Sequence, residues 1–82
     1  MKLVYFASLR EKIGLGEEEI DLPADLRSIA DLIAWLSGRD EVYAEAFANK
    51  MARAAIDKRH AKPDAPIAGA KEIAFFPPMT GG

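Results

Sequence analysis

Two kinds of residue that carry much of protein chemistry are scarce in this sequence, which contains no cysteine and a single histidine. Without cysteine the chain has no disulfide framework, no thiol nucleophile and no cysteine-based zinc site. The histidine, His60, lies in a basic stretch at residues 59–62, where we expect a solvated side chain. The glycines at positions 14 and 16 do not form a phosphate-binding loop. We therefore predict a protein that is not an enzyme by itself and that holds no metal or cofactor.

Long apolar runs and a strong excess of charge are also missing. The 82 residues include 11 basic and 13 acidic side chains, for a net charge of −2. No stretch is long enough to predict a membrane span, and the short apolar run near the N-terminus is followed by charges that a signal peptide would not carry. The weak net charge disfavours nucleic-acid binding. We expect one cytoplasmic domain close to the lower size limit for a self-sufficient core.

The first third of the sequence predicts two strands joined by a loop. Residues 2–7 are rich in aromatic and β-branched side chains, which favour a strand. Residues 8–16 contain two glycines among charges and predict a loop. Residues 17–22 end in an alternation of charged and apolar residues, which indicates a half-buried strand whose three glutamates form a solvated edge. An antiparallel hairpin is the simplest pairing.

The middle of the sequence predicts one strong helix. Ser28 is a suitable N-cap, and Asp31 three residues later gives an acidic arrangement similar to a capping box. Gly38 predicts the end of this helix. Residues 41–48 predict a second, shorter helix. The apolar stripe of the main helix follows the period of 3.6 residues and consists of Leu26, Ile29, Leu32, Ile33, Trp35 and Leu36.

The last third of the sequence predicts two more strands. Residues 51–57 indicate a third strand, residues 58–69 are mostly loop with room for a short extended piece, and residues 72–76 indicate the final strand. Because both the first and the last strand are strongly apolar, we expect them to lie side by side and parallel at the centre of a sheet. The predicted class is α+β, with a mixed sheet packed on one main helix.

The two central strands are apolar on both faces. Alternate residues of a strand point to opposite sides, so Val4 and Phe6 share one face and Leu3 and Tyr5 the other. One main helix covers only one face. The other face would then expose apolar surface of the kind that often binds a partner protein; alternatively, the second helix or the long loop covers it.

The C-terminal residues 77–82 predict an extended tail. Pro77 and Pro78 cannot continue an interior strand, and Gly81 and Gly82 are the thinnest residues available. The tail could carry the terminal carboxylate into a narrow cleft of another protein, or it could be an ordinary frayed terminus. The carboxylate is ionised at neutral pH, so it becomes an acyl donor only after activation by a partner enzyme.

Residues 72–82 read Glu-Ile-Ala-Phe-Phe-Pro-Pro-Met-Thr-Gly-Gly. This run resembles the C-terminal signature of the small subunits of molybdopterin synthase, the MoaD-type sulfur carriers, which runs Asp-Glu-Val-Ala-Phe-Phe-Pro-Pro-Val-Thr-Gly-Gly. Residues 5–11, followed by Gly14, are similar to the opening strand and turn of that family. Residues 54–57 lie where the family has Ala-Val-Asn. The departures are Ala70 for glycine, Lys71 for aspartate and Asp57 for asparagine.

The resemblance implies a ubiquitin-like β-grasp domain over residues 1–76 and a flexible Gly-Gly tail over residues 77–82. It implies that an ATP-dependent enzyme adenylates Gly82 and that a sulfur donor system converts it to a thiocarboxylate. The thiocarboxylate then gives sulfur to a cyclic pyranopterin inside the large synthase subunit, in a heterotetramer. The implied site comprises Gly82 and Gly81, the inserting tail residues Phe76, Pro77, Pro78, Met79 and Thr80, and the partner-surface candidates Phe6 and Arg10.

Three alternatives remain open on the sequence. A related carrier could serve thiazole, tRNA or amino-acid sulfur pathways. A ubiquitin-like modifier could be conjugated to lysines through Gly82. A plain interaction module could carry an inert tail.

Overall fold

The computed structural model describes residues 1–48 and 52–78, in which five strands and three helices are formed. In chain order they are β1 (Lys2–Tyr5), α1 (Ala7–Ile13), β2 (Glu17–Glu19), α2 (Ile29–Arg39), α3 (Glu41–Ala46), β3 (Arg53–Ile56), β4 (Arg59–Ala61) and β5 (Glu72–Phe76).

The strands form one mixed sheet in the order β2-β1-β5-β3-β4. The central pair, β1 and β5, is parallel, with Leu3 opposite Ile73 and Tyr5 opposite Phe75. All other pairs are antiparallel, including the predicted hairpin of β1 and β2. The predicted class and the parallel central pair are therefore confirmed. The short extended piece expected within residues 58–69 is β4, which forms an edge of the sheet.

One face of the sheet carries the hydrophobic core. Leu3, Ile73 and Phe75 are completely buried there, and Tyr5 is nearly so. The apolar stripe of α2 packs against this face. This contact removes apolar surface from water, which is the main favourable term in folding. Helices α1 and α3 extend the same cover with buried residues of their own. The core residues contributed by the helices and by the loops next to them are Leu9, Ile29, Leu32, Leu36, Tyr43, Ala46, Phe47 and Ile67.

Helix α2 begins as predicted but ends later. The Ser28 hydroxyl accepts a hydrogen bond from the Asp31 amide at 3.2 Å, and the Asp31 carboxylate accepts one from the Ser28 amide at 3.2 Å. This reciprocal capping box confirms the predicted N-terminus. The prediction that Gly38 ends the helix is wrong, because α2 continues to Arg39. The chain turns instead at Asp40, whose carboxylate accepts a hydrogen bond from the Val42 amide at 3.0 Å and caps α3.

The loop predicted for residues 8–16 is wrong over most of its length, because this segment contains helix α1. Leu9 is buried in the core and Ile13 packs against it, and this tertiary contact stabilises a helix too short to persist alone. Gly14 has φ of +87° and donates its amide to the carbonyl of Arg10 at 2.8 Å, so it is the helix C-cap. The glycine counted as a loop signal is thus a helix stop.

Asp57 joins the turn between β3 and β4 to the start of β5. Asp57 and Lys58 form a two-residue turn with φ of +47° and +70°, the conformation in which aspartate and asparagine are enriched. One carboxylate oxygen of Asp57 accepts hydrogen bonds from the amides of Lys71 and Glu72, both at 2.9 Å. An asparagine side-chain oxygen could accept the same two bonds, so the departure at this position preserves the turn.

Candidate functional site

The candidate site is the face of the sheet that the helices leave uncovered, together with the segment that follows β5. Phe6 continues β1 in extended conformation, with φ of −121° and ψ of 154°, and its amide donates to the carbonyl of Phe75 at 3.0 Å. Its side chain is 49% exposed, whereas Leu3 and Phe75 on the covered face are completely buried. The prediction of an uncovered face that includes Phe6 is confirmed.

The centre of this open face is apolar. Val4 lies opposite Ala74 in the register of β1 and β5, and Ala55 lies opposite Ala74 in that of β3 and β5. Val4, Ala55 and Phe76 are half-buried. Ala74 is only 8% exposed, because its small side chain lies between the flanking strands. The patch is therefore built mainly from the larger side chains, with Phe6 as its most exposed member.

Charged or polar side chains flank the open face on both sides. On the β2 side, the Lys2 ammonium lies 3.5 Å from the Glu17 carboxylate and 3.9 Å from that of Glu72. On the other side, Arg53 lies opposite Phe76, and His60 lies opposite Ala55. A partner that matches this face would present a hydrophobic centre with polar or charged groups on both sides of it.

The backbone turns sharply immediately after Phe6. Ala7 has φ of +52°, in the left-handed region that non-glycine residues rarely occupy. This turn ends the strand and directs the chain into α1, where the amides of Leu9 and Arg10 donate to the Phe6 carbonyl. The turn leaves the ring of Phe6 at the end of β1, next to the strand that leads into the tail.

Arg10, the second predicted contact, lies on α1 rather than on a strand. It is exposed, and its guanidinium packs against the backbone of Gly16, where a methyl group added at Gly16 would approach it to 3.2 Å. Gly16 in turn accepts a hydrogen bond from the amide of Tyr5 at 2.9 Å. Arg10 is thus held beside the β1–β2 connection, and its role toward a partner stays a prediction.

The tail leaves the domain next to His60. Phe76 ends β5, and the imidazole of His60 packs edge-on against its ring, with centroids 5.4 Å apart. His60 is exposed, as predicted, but it also has this defined contact. Pro77 and Pro78 follow and are half-buried. The remaining predicted tail residues, Met79, Thr80, Gly81 and Gly82, lie outside the described residues.

One polar cluster was missed by sequence reasoning, which treated all three glutamates of β2 as a solvated edge. The Glu18 carboxylate accepts hydrogen bonds from the hydroxyl of Tyr5 at 2.7 Å and from that of Tyr43 at 2.5 Å. Burial, reinforced by these bonds, raises the pKa of Tyr5 above its ordinary value and that of Tyr43 to about 12. The cluster ties β2 to β1 and α3 and has a structural role.

Two further features of the described residues bear on other functions. Within residues 1–48 and 52–78, no group of three or more histidine, aspartate and glutamate side chains could hold a metal ion. Over those same ranges, no helix has the length and apolar character required to cross a membrane.

The five-stranded mixed sheet covered on one face by helices is the ubiquitin-like β-grasp fold, and solved structures share it. SAMP1 from Haloferax volcanii superposes with a TM-score of 0.71 over 100% of this chain and 98% of its own, at 23% identity. A proposed molybdopterin converting factor, subunit 1, from Pyrococcus furiosus has a TM-score of 0.66 and 26% identity, covering 95% of each chain. The protein is therefore a small ubiquitin-like β-grasp protein.

Sequence comparison then gives the family. The ThiS family model matches residues 3–82, so the chain belongs to the ThiS family. The molybdopterin synthase sulfur carrier subunit of Escherichia coli (strain K12) is 30% identical over 82 residues, which span 100% of this chain and 99% of that protein. The resemblance in the tail and opening strand thus extends over the whole chain.

Proposed function

We propose that this protein is a sulfur carrier in molybdenum cofactor biosynthesis and acts as the small, non-catalytic subunit of a molybdopterin synthase. Residues 1–76 form the folded domain, and residues 77–82 form the tail that carries sulfur on Gly82. The observation that carries the proposal is the similarity to the Escherichia coli sulfur carrier subunit over 100% of this chain and 99% of that protein. The family match to residue 82 and the tail sequence support it.

The proposed chemistry needs only the terminal carboxylate from this chain. A carboxylate oxygen of Gly82 attacks the α-phosphorus of ATP on a partner enzyme, forming an acyl-adenylate and releasing pyrophosphate. Hydrosulfide supplied by a donor system then attacks the acyl carbon and displaces AMP, leaving a thiocarboxylate and releasing a proton. Glycine suits both steps, because no side chain at Gly81 or Gly82 hinders entry to a narrow channel or attack on the carbonyl.

The open face and the tail have complementary roles in this proposal. Phe6 and Phe76 supply apolar surface against the large subunit, and Arg10 is a further candidate contact. The tail from Pro77 onward enters the large subunit, where the thiocarboxylate sulfur is transferred to the cyclic pyranopterin precursor. Anchoring by large aromatic side chains is typical of protein interfaces. We expect a heterotetramer of two small and two large subunits in the cytoplasm.

The first test measures whether Gly82 becomes a thiocarboxylate. The full chain is incubated with ATP, a sulfur source and the cognate adenylating enzyme, and its intact mass is measured. We expect the mass change of one oxygen replaced by sulfur, and no change in a chain lacking Gly82. A wild-type chain that stays unmodified in the presence of an active enzyme would contradict the carrier function.

The second test separates the pathways. Thiocarboxylated protein mixed with the large subunit should convert the cyclic pyranopterin precursor to molybdopterin. If conversion fails while thiazole formation or tRNA thiolation succeeds, the protein is a related carrier. If Gly82 is instead recovered in an isopeptide bond to lysine, the protein is a modifier.

A further inference from the structure

The basic stretch around β4 has no part in the proposed function. In the structure it borders a groove of about 410 Å³ between the β3–β4 edge of the sheet and α2. We call this groove, with Arg53, His60 and Lys62 on its rim, the basic groove. Within residues 1–48 and 52–78, β4 is an edge strand, with no further strand of the sheet beyond it.

The floor and the rim of the basic groove differ in polarity. Ile29 and Ala54 on the floor are buried, and Ile33 beside them is half-buried. The rim residues Arg53, His60 and Lys62 are all exposed, and Arg53 and Lys62 carry positive charge. An apolar floor with a charged rim suits a peptide segment that buries one apolar side chain and places polar groups at the edge.

The charge on the rim has one sign. Among the described residues that line the groove, none carries a carboxylate. The ion pairs found in the described part of the chain involve the N-terminus and Lys2, and they lie on the opposite side of the sheet. This local positive charge contrasts with the net charge of −2 for the whole chain. The groove is therefore electrostatically complementary to an acidic ligand.

The groove also lies next to the start of the tail. Pro78 lines it, and His60 on its rim contacts Phe76. If the tail enters a partner protein, as the proposed function requires, the partner's surface must surround Pro78. The partner's surface must then pass over the groove as well. This step rests on the proposed function.

We propose that the basic groove binds an acidic segment of the large synthase subunit, which places an apolar side chain on the floor and carboxylates against the rim. Such a contact would fix the direction in which the tail leaves the domain and would speed association by electrostatic steering. A nucleic-acid backbone is also anionic, but the apolar floor gives it no complementary surface, so the protein segment is favoured.

The test compares two charge reversals of equal size. Lys62→Glu changes the rim of the groove, and Lys12→Glu makes the same change on the exposed surface of α1, away from the groove. Binding of each thiocarboxylated chain to the purified large subunit is measured by calorimetry at low and high salt. We expect Lys62→Glu to weaken binding about tenfold at low salt. The loss should shrink at high salt because of screening, and Lys12→Glu should bind as wild type does.

The outcomes separate this proposal from the function on which it rests. Equal affinities for the two variants would overturn the role of the groove, even if both carry sulfur normally. A wild-type chain that neither gains sulfur nor binds the large subunit would overturn the function and the groove proposal together. An oligonucleotide that binds wild type but not Lys62→Glu, while large-subunit affinity is unchanged, would assign the groove to nucleic acid. Thermal midpoints of both variants confirm that each is folded.

Discussion

Two adjacent phenylalanines near the end of β5 should respond in opposite ways to the same substitution. Phe75 points into the core, and Phe76 lies on the open face beside His60. Replacing each in turn by alanine removes the same atoms from the same strand. We expect Phe75→Ala to reduce stability, while the molecules that remain folded keep the docking surface. We expect Phe76→Ala to leave the fold intact but to impair partner binding.

The magnitude for Phe75 follows from its surroundings. Its ring is completely buried, stacks on Tyr5 with centroids 6.1 Å apart and meets the edge of Phe47 at 5.1 Å. Truncation of a buried phenylalanine to alanine costs about 3–5 kcal/mol. A domain of this size has a total stability of about 4–12 kcal/mol. We therefore expect the thermal midpoint to fall by roughly 12–40 °C.

Phe76 should contribute much less to the free energy of unfolding. It is half-buried, and its aromatic neighbour, His60, is exposed. Loss of the ring should cost about 1 kcal/mol of stability. If the ring anchors the large subunit, the same truncation should weaken binding by about tenfold or more.

The assay combines urea denaturation of each variant with calorimetric titration of the large subunit. Phe6→Ala is a second variant of the open face. Because its ring is exposed there, we expect it to lower affinity for the large subunit with little loss of stability. Equal destabilisation by Phe75→Ala and Phe76→Ala would refute the assignment of the two rings to opposite faces. Unchanged affinity in both Phe76→Ala and Phe6→Ala would refute the docking role of the open face.

Three further predictions concern polar contacts. Asp57→Ala should lower the free energy of unfolding, measured by chemical denaturation, by about 1–3 kcal/mol because two backbone amides lose their acceptor. Asp57→Asn should stay within about 0.5 kcal/mol of wild type. Equal losses in the two variants would contradict the acceptor role. Because the pKa values of Tyr5 and Tyr43 are raised, stability should be intact below about pH 10 and should fall above it by up to about 1.4 kcal/mol per pH unit for each tyrosine. Tyr43→Phe should reduce that slope, and an unchanged slope would argue against the contact with Glu18. Ser28→Ala should lower the thermal stability by about 1 kcal/mol through loss of the α2 cap, and no loss would show that the cap is dispensable.

The features predicted correctly from sequence depend on short-range signals. The capping box of Ser28 needs only residues within one helical turn, and the alternation that separates Phe75 from Phe76 is a property of any strand. The parallel placement of β1 and β5 followed from their apolar character on both faces. The errors arose where local signals were ambiguous: Gly14 is compatible with a loop or a helix C-cap, and Gly38 is tolerated within α2.

The sequence by itself determined the order of the strands and the main helix, the two faces of the central strands and the family to which the chain belongs. The tertiary structure alone decided that residues 7–13 form a helix, because Leu9 gains its stabilisation from the core. It also decided that Glu18 is held by Tyr43, 25 residues away along the chain. The basic groove likewise combines residues of α2, β3 and β4 with Pro78. Contacts between residues far apart in sequence leave no periodic pattern, so only the folded chain shows them.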